Sequence, residues 1–390
     1  MNRSGDHDEG ADGRERIGWW FALEPLGADS VAWSLIRVDD RPPDGPVGAG
    51  LLTGVSALRM VAEGLPPGSA ASGELWTGPL IDRGAELATA VQLGLGLLPD
   101  ALRAELLAAD LGSVRHTVTV ACRGWLAQVP WEVLALDPVG DVRLIERARV
   151  AAGLSPTINA GRRRAPVPRP GAPALRIIDP GGRSDPSLRP IYPGGYPLEW
   201  YDNLLDGERL RPQPRTLSTG QFGELLSAES GWSRLFYFGH CLPGTADTPA
   251  GAALVLSTST SSERFTAHAW LGEPDTWPCP ARVALIACGS DDSAQIEQSG
   301  LPVAAVNAGA ELLTVTRWTL PLDVEPPRQA ATTTLALAVD AAHQQDDPLA
   351  AIRDWQCRQL ATWRDLGTKD FSPLLWGALA TYLVPSAVFD

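Results

Sequence analysis

Two short runs of this sequence are apolar at every position rather than at alternate ones. They are Leu235-Phe236-Tyr237-Phe238 and Val283-Ala284-Leu285-Ile286-Ala287. A strand with one wet face alternates apolar and polar residues. A run without alternation, bounded by turn residues, reads as a strand of a parallel sheet covered on both faces. The first run passes into Gly239-His240-Cys241, the second into Cys288-Gly289-Ser290. In open parallel sheets the chemistry sits just beyond the carboxyl ends of the strands. His240 and Cys288 both fall there, far apart in sequence, so only the fold can bring them together.

The rest of the chain alternates strand and helix signals. Gly18–Val38 is strand-like, and a Pro/Gly-rich loop follows over residues 39–48. Helices are predicted from Pro79 to Gly94 and after Pro99, where proline suits a first helical turn. Val114–Ala121 alternates Val114, His116, Val118 and Val120 with Arg115, Thr117 and Thr119, which predicts a half-buried strand. Pro130 predicts a turn, with Trp131 and Leu134 anchoring a short helix. Further on, strands are expected at Ala174–Ile178, Leu312–Thr316 and Trp376–Val384, and half a hairpin at Leu254–Leu256. Helices are expected at Thr219–Ser227, Pro302–Ala308, Pro327–Ala342 and Pro348–Trp363. The pattern predicts an α/β sandwich with a mainly parallel central sheet flanked by helices.

Residues 160–173 are rich in Pro, Gly and Arg and read as a linker that does not pack, either a plain connector or a protease-sensitive loop. The expected organisation is a disordered tail over 1–15, an amino-terminal α+β region over 16–160, the linker over 161–173, and a catalytic domain over 174–390. The long Pro/Gly-rich stretch 180–215 reads as a functional loop.

Composition narrows the partners. The net charge of −14 argues against nucleic acid or an anionic membrane surface, both of which need a basic face. The odd count of five cysteines, with no secretory segment after Met1, predicts free thiols in a reducing cytoplasm. No apolar run reaches the roughly eighteen residues a membrane span needs.

A thiol and an imidazole at strand ends suggest a nucleophile and its base. An imidazole that titrates near neutrality accepts the thiol proton and returns it to a leaving amine. Gly239 and Gly289 beside them permit sharp turns and close approach of backbone to substrate. The same residue types also fit a buried structural thiol and a hydrogen-bonded core histidine. A zinc set drawn from His240, Cys241, Cys279 and Cys288 lacks a paired-cysteine spacing; no metal or other cofactor is expected. His343 lies near a predicted helix C-terminus, where a cation is mildly favoured.

In order, several segments resemble the CHAT family of caspase-like cysteine peptidases, related to separase. They are Val129-Pro130-Trp131-Glu132-Val133-Leu134, Leu175-Arg176-Ile177-Ile178-Asp179-Pro180, Leu198-Glu199 and Phe236-Tyr237-Phe238-Gly239-His240. Ala284-Leu285-Ile286-Ala287-Cys288-Gly289-Ser290, Gly300-Leu301, Ala308-Gly309-Ala310, Thr316-Arg317-Trp318 and Phe371–Leu379 complete the series. The resemblance runs from about Leu75 to Val384. It implies a caspase-like sandwich and a cofactor-free endopeptidase acting on a protein, with His240 as base and Cys288 as nucleophile. Backbone at Cys241 and Gly289 would hold the oxyanion. Asp179, Asp291 and Trp318 are candidates for the substrate pocket, where acidic groups would favour a basic residue before the cut. Such enzymes serve bacterial defence or cell-death pathways, often fused to sensor modules. No repeats are present here, so the sensor would be the amino-terminal region or a separate protein, and the substrate a neighbouring-gene product. The family usually carries glycine directly after the histidine. Cys241 stands there instead, so a catalytically silent scaffold that binds a partner is the alternative.

Overall fold

The computed structural model describes residues 15–38, 48–65, 76–110, 114–155, 158, 161–168, 171–180, 191, 217–227, 231–242, 244, 248–258, 261–287, 300–321, 323 and 330–384. The strands are β1 (Glu15–Pro25), β2 (Ser30–Arg37), β3 (Gly48–Thr53), β4 (Val114–Ala121), β5 (Ala148–Ala152), β6 (Ala174–Ile178) and β7 (Arg234–Gly239). Then come β8 (Cys241–Leu242), β9 (Ala253–Ser257), β10 (Ser262–Thr266), β11 (Arg282–Ala287), β12 (Leu312–Thr316) and β13 (Leu379–Leu383). Ten of them form one sheet in the order β3-β2-β1-β4-β5-β13-β12-β11-β7-β6; β8, β9 and β10 form a small second sheet.

Six of the nine neighbour pairs in the large sheet are parallel. The antiparallel pair β12–β13 reverses direction in mid-sheet. Strands β6, β7, β11 and β12 therefore run opposite to β1, β4 and β5, and their carboxyl ends lie on opposite rims.

The helices are α1 (Ser56–Glu63), α2 (Arg83–Leu97), α3 (Asp100–Ala108), α4 (Leu144–Arg147), α5 (Thr219–Leu226), α6 (Ala267–Gly272), α7 (Leu301–Asn307), α8 (Ala331–Ala342), α9 (Pro348–Leu366) and α10 (Pro373–Trp376). Local chemistry sets their ends. The Asp82 carboxylate accepts from the Ala85 N–H at 2.8 Å and caps α2. Ser218 and Gln221 form a reciprocal capping box on α5. Gly367, at φ 64°, ends α9 in the left-handed conformation that glycine adopts without cost.

One face of the sheet packs along its whole length. Phe21, Leu35, Val118, Phe236 and Ile286 meet Leu93, Leu102, Leu335 and Trp363 from the helices in one core cluster. The other face is packed, among the described residues, over half its width. There Leu175, Tyr237, Leu285 and Val315 meet Phe222 of α5, Trp270 of α6, Val306 of α7 and Leu254 of the small sheet. Among the described residues this second cluster takes nothing from β1–β4. On that bare face Ile36 is 38% exposed and Leu51 56%.

Two sequence expectations change. The closing strand predicted from Trp376 begins at Leu379, because Pro373 starts a short helix and the Gly377 N–H bonds back to the Pro373 carbonyl at 2.9 Å. The described part of the linker, 161–168, is half-buried to exposed and touches the rest of the fold at two points. The Arg163 N–H donates to the Asn307 carbonyl at 3.0 Å, and the Gly309 backbone lies so close to Ala165 that a Cβ would stand 3.1 Å from its Cα. His343 is no cation: burial, aided by Arg282 and Arg234, lowers its pKa to about 3, and its Nε2 pairs with the Thr314 hydroxyl at 2.9 Å. Lost hydration outweighs the favourable helix terminus. The tail at 1–14, most of the loop 180–215, and Leu198-Glu199 lie outside the described residues.

Candidate active site

The two unalternating runs are β7 and β11, and they lie side by side. Their parallel register ends with Ile286 opposite Phe238 and Ala287 opposite Gly239. Every residue of β7 is buried, as is β11 from Val283 onward. His240 follows Gly239 directly and is 8% exposed. Cys288 follows Ala287 and, with Gly289 and Asp291, lies outside the described residues.

The backbone at His240 is held from below. Its carbonyl accepts from the Val255 N–H at 3.0 Å. The Tyr237 hydroxyl is 2.7 Å from the same carbonyl and 2.8 Å from the Val255 carbonyl, so one phenol O–H is shared between the turn and β9. This is why residue 239 is glycine. A Cβ there would stand 2.6 Å from the Tyr237 oxygen. The sequence carries a signal for Tyr237 that the strand pattern alone overlooks: a phenol inside an otherwise hydrocarbon run must find a polar partner when buried.

Cys241 opens β8 and pairs with Leu254. Its side chain belongs to the second core cluster, with Sγ 3.5 Å from the Leu242 carbonyl. Among the described non-glycine residues only Asp179 has a positive φ, so the backbone at 241 is one that a Cβ tolerates. Asp179 itself, at φ 45°, ends β6 on the other side of β7, and its N–H donates to the Phe238 carbonyl at 2.7 Å. The carboxyl ends of β6, β7 and β11 thus stand in a row, carrying Asp179 and His240 on the first two.

On the far side of β11, the Thr316 hydroxyl donates to the Ala287 carbonyl, the last described group before Cys288. Trp318 is 3% exposed in the first core cluster, and its indole N–H donates to the Leu374 carbonyl at 2.9 Å. The structure therefore places Trp318 in the core, with its polar edge already bonded.

Cys279 stands apart from the other residues of the zinc alternative. Cys279 precedes the amino end of β11, whereas His240 follows the carboxyl end of β7, which puts roughly 20 Å of strand between them. Burial raises the Cys279 pKa, which suits a core thiol. Among the described residues no three His, Cys, Asp or Glu side chains group as metal ligands.

A groove of about 600 Å³ opens elsewhere, at the carboxyl ends of β1, β4 and β5, lined by Trp20, Ala22, Ser34, Cys122, Gly153 and Leu154. These strands run opposite to β7 and β11, so the groove is on the other rim from His240. Among the described residues no helix is long and apolar enough to cross a membrane.

The model of the CHAT domain family matches residues 92–380 of this chain. Among solved structures, a chain of the Saccharomyces cerevisiae separase–securin complex is similar, with a TM-score of 0.49 and 8% identity. The similarity covers 95% of this chain and 30% of that one, so this chain spans less than a third of its length. No curated protein matches the sequence.

Proposed function

This chain belongs to the CHAT domain family, and from that premise we propose that it is a caspase-like cysteine endopeptidase whose nucleophile is Cys288 and whose base is His240. The observation that carries the reading is the register of β7 and β11. Gly239 and Ala287 are direct partners on adjacent parallel strands, and the residues that follow them are the imidazole and the thiol.

In this reading His240 takes the Cys288 proton and the thiolate attacks the carbonyl carbon of a peptide bond. Backbone N–H groups at Cys241 and Gly289 hold the oxyanion. The tetrahedral species collapses as the imidazolium gives its proton to the departing amine, and water then cleaves the thioester. Cys241 is compatible with this role, because its N–H survives the change from glycine and its thiol packs into the core. Asp179, at the neighbouring strand end, supports a preference for a basic residue before the scissile bond, with Asp291 as its companion. The substrate is a protein, most simply a neighbouring-gene product in a bacterial defence or regulated-proteolysis pathway, and a separate protein would supply the activating signal.

Co-expression with candidate neighbouring proteins tests this. A discrete cleavage product is expected with wild type and not with Cys288→Ala or His240→Ala. Persistence of the same product in Cys288→Ala would sink the reading. Binding of a neighbour without cleavage by wild type would favour the scaffold instead.

A further inference from the structure

The thinnest seam of the large sheet lies between β5 and β13, which share a single register pair, Tyr382 opposite Ala152. Every other neighbouring pair shares four or more. The seam joins the amino-terminal half of the sheet to the half that carries His240. An ion pair closes it. Arg317, just after β12, places Nη1 3.0 Å from Glu132 Oε2 and Nη2 3.1 Å from Oε1, a two-pronged grip. The same guanidinium donates to the Gly377 carbonyl at 2.9 Å and to the Leu379 carbonyl. Both side chains are 4% exposed. Arg317, Trp131, Ala152 and Tyr382 surround one small void of about 20 Å³, which places the grip at the seam itself.

Glu132 comes from the turn segment after β4, and Arg317 is next to Thr316. The Thr316 hydroxyl donates to the Ala287 carbonyl, and Ala287 is paired with Gly239. A continuous line of bonded groups therefore runs from the amino-terminal half to the two residues that precede Cys288 and His240. Two desolvated charges are a poor way to gain stability, since apolar residues of similar size do as well or better. Their directional grip does fix geometry.

We propose that Glu132 and Arg317 are positioning residues of the candidate dyad: the amino-terminal half grips Arg317 and, through Thr316 and Ala287, sets where Cys288 stands beside His240. This rests on the dyad reading above.

The test reads the thiol itself, in the full chain, as the rate of iodoacetamide alkylation at Cys288 from pH 5 to 9, resolved by peptide mass spectrometry. His240→Ala is expected to slow Cys288 below pH 7. Glu132→Gln and Arg317→Lys are expected to slow it about tenfold or more and to move its pH midpoint upward. Cys357 alkylation and the circular dichroism spectrum stay as in wild type. The double variant Glu132→Met/Arg317→Met strands no buried charge and supplies the same measurement where a single variant does not fold. Folded variants that keep the wild-type Cys288 rate and midpoint overturn the inference, because a merely structural pair would leave both unmoved. If His240→Ala slows Cys288 and the variants at 132 and 317 do not, the dyad stands and the positioning role falls alone. If His240→Ala has no effect on Cys288, both fall together.

Discussion

Strands β11 and β4 belong to the same sheet and are built on different rules. In β11 every residue from Val283 to Ala287 is buried, because α5–α7 cover one face and α8 the other. In β4, His116, Val118 and Val120 are buried while Arg115, Thr117, Thr119 and Ala121 are only half covered. Yet β4 lies between two parallel neighbours, β1 and β5, a setting in which both faces are usually covered. The difference shows that strand direction alone does not dictate burial. The number of helix layers does, and among the described residues the second layer stops at β5.

The largest expected effect follows from that difference. Leu285→Ala and Ile286→Ala point to opposite faces of β11, and each should cost about 3 kcal/mol. In β4 the corresponding neighbours should split: Val118→Ala costs about 2 kcal/mol, Thr119→Ala less than about 0.5. Urea midpoints at constant slope measure all four. Equal costs at 118 and 119 would mean that something covers the bare face.

The covered half also predicts a pH effect. His343 sits under α8 against Thr314 on β12, with a folded-state pKa of about 3. The unfolded chain protonates this residue below about pH 6.5 and the folded chain does not, so stability falls as pH drops through that window. At pH 5 the loss is about 2 kcal/mol. Thermal or urea unfolding of wild type and His343→Asn at pH 7 and pH 5 isolates the contribution. An unchanged pH slope in the variant would contradict a neutral, water-free His343.

The smallest effect belongs to the bare face. Ile36→Thr should shift stability by less than about 0.5 kcal/mol, because Ile36 is 38% exposed and no helix among the described residues packs over it. A larger loss would again point to a missing cover.

Much of this was legible in the residues. Unalternating Leu235–Phe238 and Val283–Ala287 announced doubly covered strands, and alternating Val114–Ala121 announced a single cover. Each pattern is a direct record of how many faces water reaches. The positions of His240 and Asp179 at strand ends followed from where the apolar runs stop. Less was legible at long range. Arg163 and Ala165 looked like free linker because composition does not reveal the carbonyl of Asn307 or the close approach of Gly309. His343 looked like a helix-end cation because its burial comes from strands distant in sequence. Trp318, a pocket candidate from its place in the Thr316-Arg317-Trp318 segment, has its indole bonded to Leu374 in the core.

By itself, then, the sequence determined the strand types, the helix-bounded sandwich and the two residues worth watching, since those depend on local periodicity and on side-chain chemistry. The tertiary structure decided three further things. It set Gly239 opposite Ala287, ended the second helix layer of the described residues at β5, and joined Glu132 to Arg317 across the seam. The physical reason is one of range. Periodicity records the environment of each residue, while pairing between distant segments depends on which surfaces pack together, and a single chain's pattern does not encode its partners by name.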